Sequence, residues 1–271
     1  MIKTIISLLF SVLTLGGIGA LFGFLLVFLS KVFAVKKDKR ILQLEEALPG
    51  INCGLCGYAG CLSYAEAIVG EDAAMTLCTA ADEDIIKELS RIMEVEIKAA
   101  IDKKVTQVHC RGGREEAKYK FEYDGINDCN ALALLFGGNK VCRFGCLGLG
   151  SCITECPVDA IDYDGNGLVK VDRDLCIGCG KCIDICPTGV MQFIPYNADV
   201  IVACNSKDNP KKIKQYCSVG CIGCKICERK SPEGGFFVED YLARIDYTMD
   251  GDRMEALKKC PVKCIIKNKE N

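Results

Sequence analysis

Residues 142–187 read CRFGCLGLGSCITECPVDAIDYDGNGLVKVDRDLCIGCGKCIDICP, two cysteine runs that each close in Cys-Pro. The second run, Cys176, Cys179, Cys182 and Cys186, has the C-x2-C-x2-C-x3-C-P spacing in which three thiolates hold one iron–sulfur cubane and the fourth crosses to a second. The first run, Cys142, Cys146, Cys152 and Cys156, is looser, with x3 and x5 in place of x2 and x2. The crossing rule groups Cys142, Cys146 and Cys152 with Cys186, and Cys176, Cys179 and Cys182 with Cys156. The irregular spacing leaves a different ligand set open at the first run.

The chain has 271 residues, 21 Cys, one His and no Trp. Its cysteines fall in C-x2-C runs rather than singly across loops, which favours metal–sulfur chemistry in a reducing compartment over a disulfide scaffold. Zinc sites usually recruit histidine as well, and His109 lies in none of the runs. The formal net charge of −2 conceals a basic start: Lys3, Lys31, Lys36, Lys37, Lys39 and Arg40 stand against Asp38 alone in the first forty residues. Nothing in the charge pattern points to nucleic acid.

Thr4 to Ser30 carries no charge, a run longer than the roughly 20 residues a helix needs to cross a bilayer. One membrane span is expected rather than a cleaved signal peptide, because no small-x-small cleavage site precedes the basic cluster. Lys31 to Arg40 then places the soluble part on the cytoplasmic side of the cytoplasmic membrane.

After the anchor, Ile41 to Leu48 reads as a short amphipathic helix ending at Pro49-Gly50. INCGLCGYAGCLSYAEAIV follows, and Cys53, Cys56, Cys61 and the more distant Cys78 make a single 4Fe-4S site the preferred reading, with zinc as the alternative. Helical spacing of apolar residues predicts a surface helix over 82–104. KYKFEYDG reads as a strand and the stretch around Ala131 to Phe136 as a short helix. Cys110 and Cys129 stand alone and read as buried small hydrophobes. AIDYDGNGLVKVDRDLC predicts a hairpin turning at Asp164 to Gly167, and Asp199 to Ala203 a buried strand.

A partly erased copy of the ferredoxin pattern follows. Cys221, Cys224, Cys227 and Ser231-Pro232 repeat the spacing of the second run, with serine in the fourth place. Counting back from Cys260-Pro261 puts Ala256, Arg253 and Asp250 where three more cysteines would stand. The crossing rule makes Cys221, Cys224, Cys227 and Cys260 one whole ligand set, and Ser231, Asp250, Arg253 and Ala256 one whole lost set. Cys204, Cys217 and Cys264 are left without a role.

The order of these features, an apolar N-terminal helix, CGLCGYAGC with a distant fourth cysteine, KVCRFGCLGLGSCITECP, a ferredoxin run and CSVGCIGCKIC, resembles the iron–sulfur B subunit of the Rnf electron transport complex over essentially the whole chain. The resemblance implies an electron-relay subunit of an ion-translocating ferredoxin:NAD+ oxidoreductase. Reduced ferredoxin would be the donor, and other membrane and soluble subunits of the complex the partners; NAD reduction and sodium or proton export would belong to those subunits. The sequence departs from the longer clostridial-type pattern at Ser231, Asp250, Arg253 and Ala256, so four 4Fe-4S clusters are expected and not a fifth.

The expected fold is α+β. Residues 1–35 form a transmembrane anchor, 36–108 a small, mostly helical 4Fe-4S domain, 109–195 a two-cluster ferredoxin-like domain, and 196–271 a degenerate ferredoxin-like domain with one cluster. Cysteine thiolates are the only soft ligands, so the expected work is sequential one-electron transfer without bond chemistry. Lys207, Lys211, Lys212, Lys214, Lys225, Arg229 and Lys230 against Asp208 and Glu228 form a basic stretch suited to an acidic ferredoxin. Two rivals remain: a related complex that reduces a redox-sensing regulator, and a zinc-binding assembly module.

Overall fold

The computed structural model describes residues 2–32, 38–96 and 103–268. Helix α1 (Ile2–Val32) contains a segment, Leu13–Lys31, with a mean hydropathy of 2.1, long and apolar enough to cross a membrane. None of that segment is buried within the chain, so Phe22, Phe24 and Leu26 have no protein covering them.

Next come α2 (Lys39–Ala47), α3 (Cys61–Val69) and α4 (Glu83–Met93). They close on Leu44, Tyr64, Ala65, Ile68 and Leu89, all nearly inaccessible. Asp38 and Asp82 cap α2 and α4 by accepting from the amides of Arg40 and Ile85. The helix expected over 82–104 stops earlier: α4 ends at Met93, and Glu94 turns into the left-handed region at φ 55. Part of the remainder lies outside the described residues.

The rest of the chain runs β1 (Lys104–Val108), α5 (Cys129–Leu134), α6 (Ser151–Thr154), β2 (Ile161–Tyr163), β3 (Val169–Val171), α7 (Lys181–Asp184), β4 (Met191–Pro195), β5 (Val200–Val202), α8 (Pro210–Tyr216), α9 (Ile226–Lys230), β6 (Phe236–Glu239), β7 (Leu242–Ile245), α10 (Met254–Lys259) and β8 (Ile265–Lys267). Four antiparallel pairs result, β1 with β4, β2 with β3, β5 with β8 and β6 with β7. The hairpin at Asp164 to Gly167 and the buried strand before Cys204 are both present.

Two expectations change. Lys104–Val108 pairs along its length with Met191–Pro195, so this strand shares a sheet with the two-cluster segment and not with the helices before it. KYKFEYDG forms no strand; it contributes only a bridge between Tyr119 and Lys140, beside one between Ala117 and Cys217. Its neighbours in space are loops, which offer no continuous ladder.

Two cores stand side by side. One gathers Val105, Val108, Ile161, Val169, Met191 and Ile194, and the other Val200, Val202, Phe236, Leu242, Ala256 and Ile265. In the second, three of the four positions that lack cysteines are filled from within, while Asp250 is exposed. Arg253 is 7% exposed; its Nε donates to the Gly234 carbonyl at 2.8 Å and its Nη1 reaches Asp199 at 3.2 Å. Its Nη2 donates to the Met249 carbonyl, and the guanidinium lies over the Tyr247 ring. Ser231 accepts from the Ala256 amide at 3.2 Å. Ser231, Arg253 and Ala256 thus meet as a cysteine set would, and packed side chains occupy the space.

Candidate metal-sulfur centres

The two Cys-Pro runs fold on one template. Cys146, Cys152 and Cys156 precede Cys176, Cys182 and Cys186 by the same interval, with Leu149 standing opposite Cys179. The backbone repeats as well. Gly148 and Gly178 lie at φ 75 and 66, and a Cβ at either would sit 2.2 Å from the Gly167 carbonyl oxygen or 2.4 Å from that of Lys104. Only glycine permits this approach of the ligand loop to a neighbouring segment. Two residues on, Gly150 and Gly180 precede the short helices α6 and α7, which carry Cys152 and Cys182 into the core.

Four cysteine-lined cavities follow. Cys156, Cys176, Cys179 and Cys182 line one, with Thr106 of β1 and Ile161. Thr106 donates its amide towards Cys176 Sγ at 3.5 Å and accepts through its hydroxyl from Cys182 Sγ at 3.4 Å. The Ala160 amide donates to Cys156 Sγ at 3.2 Å. Cys129, Cys146, Cys152 and Cys186 line a second, closed by Val169, Ile185 and Met191. Cys221, Cys224, Cys227, Cys260 and Cys264 line a third, where the Ala243 amide donates to Cys221 Sγ at 3.4 Å. Cys110, Cys142, Cys204 and Cys217 line a fourth. The spaces between their walls, open mouths included, are alike at about 280, 340, 320 and 390 Å³ respectively.

The second cavity departs from the expected grouping of Cys142 with Cys146, Cys152 and Cys186. Cys129 stands there instead, and Cys142 faces the fourth cavity. Cys129 opens α5, its amide donating to Ser151 Oγ at 2.7 Å, and Ser151 in turn donates to Asp128 at 3.3 Å, which ties α5 to the start of α6. Cys129 thereby supplies the thiol that Leu149 lacks. The fixed interval between the runs is the signal in the sequence that could have excluded Cys142; nothing near Cys129 announces its place. Cys110, read as an isolated hydrophobe, also belongs to a cysteine-lined cavity.

Cys53, Cys56, Cys61 and Cys78 gather at the edge of the helical unit, where Cys56, Cys61 and Cys78 pack on its core. Asn52, at φ 52, turns its side chain back to accept from the Cys61 amide at 2.8 Å, fixing the loop to the start of α3.

Burial pushes the thiols of Cys146 and Cys152 up to about 12 and those of Cys182 and Cys227 up to about 11. These side chains are neutral at pH 7 until a cation draws off their protons, as metal–sulfur binding does. Cys221 and Cys260 shift the other way, because the buried Cys264 thiol hydrogen-bonds to both and holds them well below the usual thiol range. Cys264 thus sits beside both sulfurs, 3.7 Å from that of Cys260, with one S–H proton to share between them. Replacing it by alanine is expected to leave the iron content of the chain unchanged and to lower the reduction potential of this one centre, as removal of a hydrogen bond to a cluster sulfur does; iron analysis with a redox titration checks it.

His109 has no part in these sites. It is half-buried, its Nδ1 donates to the Val202 carbonyl at 2.9 Å, and desolvation of the ring pulls its pKa down to about 4.

The donor chemistry fits iron–sulfur cubanes: sets of four thiols around a space, backbone amides aimed at sulfur, and apolar walls. Among the described residues, no group of three or more His, Cys, Asp or Glu is gathered to hold a single metal ion. Comparison with known proteins agrees. Residues 48–80 match the family described as "Putative Fe-S cluster", and residues 140–194 the "4Fe-4S dicluster domain". The B subunit of the "Ion-translocating oxidoreductase complex" of Methanosarcina acetivorans is 36% identical over 94% of this chain and 96% of its own length. The B subunit of the "Proton-translocating ferredoxin:NAD(+) oxidoreductase complex" of Clostridium ljungdahlii is 40% identical over 92% and 88%. The B subunit of the "Na(+)-translocating ferredoxin:NAD(+) oxidoreductase complex" of Acetobacterium woodii is 39% identical over 93% and 75%.

Proposed function

The chain belongs to the B-subunit family of ion-translocating oxidoreductase complexes, and from that premise we propose that it relays electrons from reduced ferredoxin to the membrane subunits of a ferredoxin:NAD+ oxidoreductase. The observation that carries the relay is the exchange between runs: Cys156 lines the cavity of Cys176, Cys179 and Cys182, and Cys186 that of Cys129, Cys146 and Cys152. Two centres interlocked in this way are built for passage between them.

In this reading Cys53, Cys56, Cys61 and Cys78 hold one 4Fe-4S cluster, and the two interlocked sets hold one each. Cys221, Cys224, Cys227 and Cys260 hold another, with Cys264 as hydrogen-bond donor. When bound, each cluster supplies a one-electron couple. The protein's own work is to hold the thiolates, aim amides at the sulfurs and keep water away with Ile161, Val169, Met191 and Val238. No carboxylate pair or phosphate loop in the sequence competes for a catalytic role. Helix α1 anchors the chain as a single span, with the remainder on the cytoplasmic side, and the helical unit, tied to the anchor by the shortest tether, faces the membrane subunits.

Reduced ferredoxin, an acidic partner, docks at the basic stretch. Lys207, Lys211, Lys212, Lys214, Lys225, Arg229 and Lys230 are all exposed, and Lys211, Lys212 and Lys214 share α8, whose other face buries Ile213 and Tyr216. Changing the three α8 lysines to glutamine is expected to slow reduction by ferredoxin about tenfold at low salt and to flatten its salt dependence. Stopped-flow reduction at two ionic strengths checks it, and unchanged kinetics at low salt would remove the docking assignment. The relay itself is tested in sealed membrane vesicles: ferredoxin-dependent NAD reduction should vanish when Cys156 and Cys186 are both changed to alanine, and persistence of that activity would overturn the reading.

A further inference from the structure

We infer that Cys110, Cys142, Cys204 and Cys217 form a fifth iron–sulfur site of the four-iron class, placed between the centre of Cys146 and the centre of Cys221. The inference rests on the electron-relay reading and adds a centre to it. These four thiols come from separate segments, after β1, after α5, after β5 and after α8, with no short spacing among them. The match to the dicluster family, residues 140–194, contains only Cys142 of the four.

The cavity is built as the other three are. Its space is of the same order, about 390 Å³, and its lining includes Ile213, Tyr216 and Val219. The Cys221 amide donates to Cys204 Sγ at 3.3 Å, the same amide-to-sulfur contact that Ala160 makes with Cys156 and Ala243 with Cys221. Glycines bring the backbone close: a Cβ on Gly112 would lie 3.2 Å from Cys217 Sγ, and one on Gly145 3.7 Å from Cys110 Sγ.

One wall carries a cation. Lys140 is 1% exposed, and its Nζ donates to the Gly112 carbonyl at 2.7 Å. The ammonium faces the Tyr119 ring at 5.5 Å and lines the cavity that the four cysteines share, so it sets a positive charge where a cluster held by four thiolates would set a negative one. Four thiolates around an oxidised core of charge +2 leave −2 at such a site, which one lysine half offsets.

The position gives the centre a purpose. Cys221 donates its amide to Cys204 while its own sulfur lines the next cavity, and Gly145 reaches Cys110 while Cys146 lines the cavity on the other side. The fifth site therefore adjoins one neighbour through a single residue and the other through two consecutive ones. Helix α8 roofs it, with Ile213 and Tyr216 inward and the lysines outward, so a donor docked on those lysines lies over this centre.

Iron and acid-labile sulfide are measured on the full chain purified in detergent without oxygen, with a low-temperature paramagnetic resonance titration alongside. About 20 of each per chain is expected, from five sites of four irons. The Cys110→Ala/Cys217→Ala double variant should fall to about 16 and lose one set of signals. About 16 in the unaltered chain would overturn the inference while leaving the relay intact, and so would one zinc beside 16 irons. If the double variant does not fold, the count on the unaltered chain still decides. Failure of the relay reading looks different: iron well below 16, or no iron at all.

Discussion

Changing Arg253 to alanine is expected to destabilise the C-terminal unit by about 3 kcal/mol, the combined effect of one buried carbonyl left without a donor, a second, partly buried one returned to water, and a side-chain-sized void. The carbonyls are those of Gly234 and Met249. The ion pair with Asp199 adds little, since that carboxylate is 41% exposed and well hydrated. Ala256 on α10 would lose its support next, and α10 leads directly into Cys260. The visible absorbance of the Cys221 centre should therefore bleach at a lower denaturant concentration, with the other centres little changed. Arg253→Lys should recover part of the loss, because an ammonium can reach one carbonyl but cannot span two and pair with Asp199 as well. An unshifted bleaching midpoint in the alanine variant would mean that the lost cysteine set has been replaced by something other than this guanidinium.

The second large effect concerns Cys129. Its change to alanine is expected to remove about four irons per chain and the signals of one centre, because a cubane missing a ligand in a buried site is seldom retained. Cys142→Ala should leave that centre in place and disturb the neighbouring one. Iron counts alone cannot separate the two variants, so the titration is the measurement: the signals that disappear with Cys129 must be those that disappear with Cys186, and must differ from those affected at Cys142. Loss of the same signals in the Cys142 and Cys186 variants would restore the grouping read from cysteine order alone.

Where short-range pattern and ligand geometry coincide, the sequence was readable. Cys176, Cys179, Cys182 and Cys186 announce their fold because a tight loop and one short helix turn place all four, and the exchange with Cys156 follows from the same rule. The substitutions at Ser231, Arg253 and Ala256 were equally readable, since the spacing outlived the cysteines; what took their place was not, because a guanidinium that fills a cavity leaves no pattern. Cys110, Cys129, Cys204 and Cys217 were opaque for a related reason. Each sits alone in its segment, and only the pairing of β1 with β4, the bond from Cys129 to Ser151 and the seating of α8 bring them beside other thiols. Cys142 falls outside its run's set because the fold repeats positions rather than cysteine order, and Leu149 holds one of those positions. The strand expected at KYKFEYDG failed because a two-residue alternation needs a neighbouring strand, and loops lie there.

The interlocking of the two Cys-Pro runs also sets a timetable for biosynthesis. A nascent chain that has emerged past Cys156 has a complete thiol set in neither of the interlocked cavities, because one waits for Cys182 and the other for Cys186. Both become loadable within a few residues of each other, so the pair is committed nearly at once rather than in sequence. A ribosome that stops inside the hairpin, or a protease that cuts there and frees the downstream piece, leaves both interlocked sets incomplete together, so neither centre of the pair is loaded without the other.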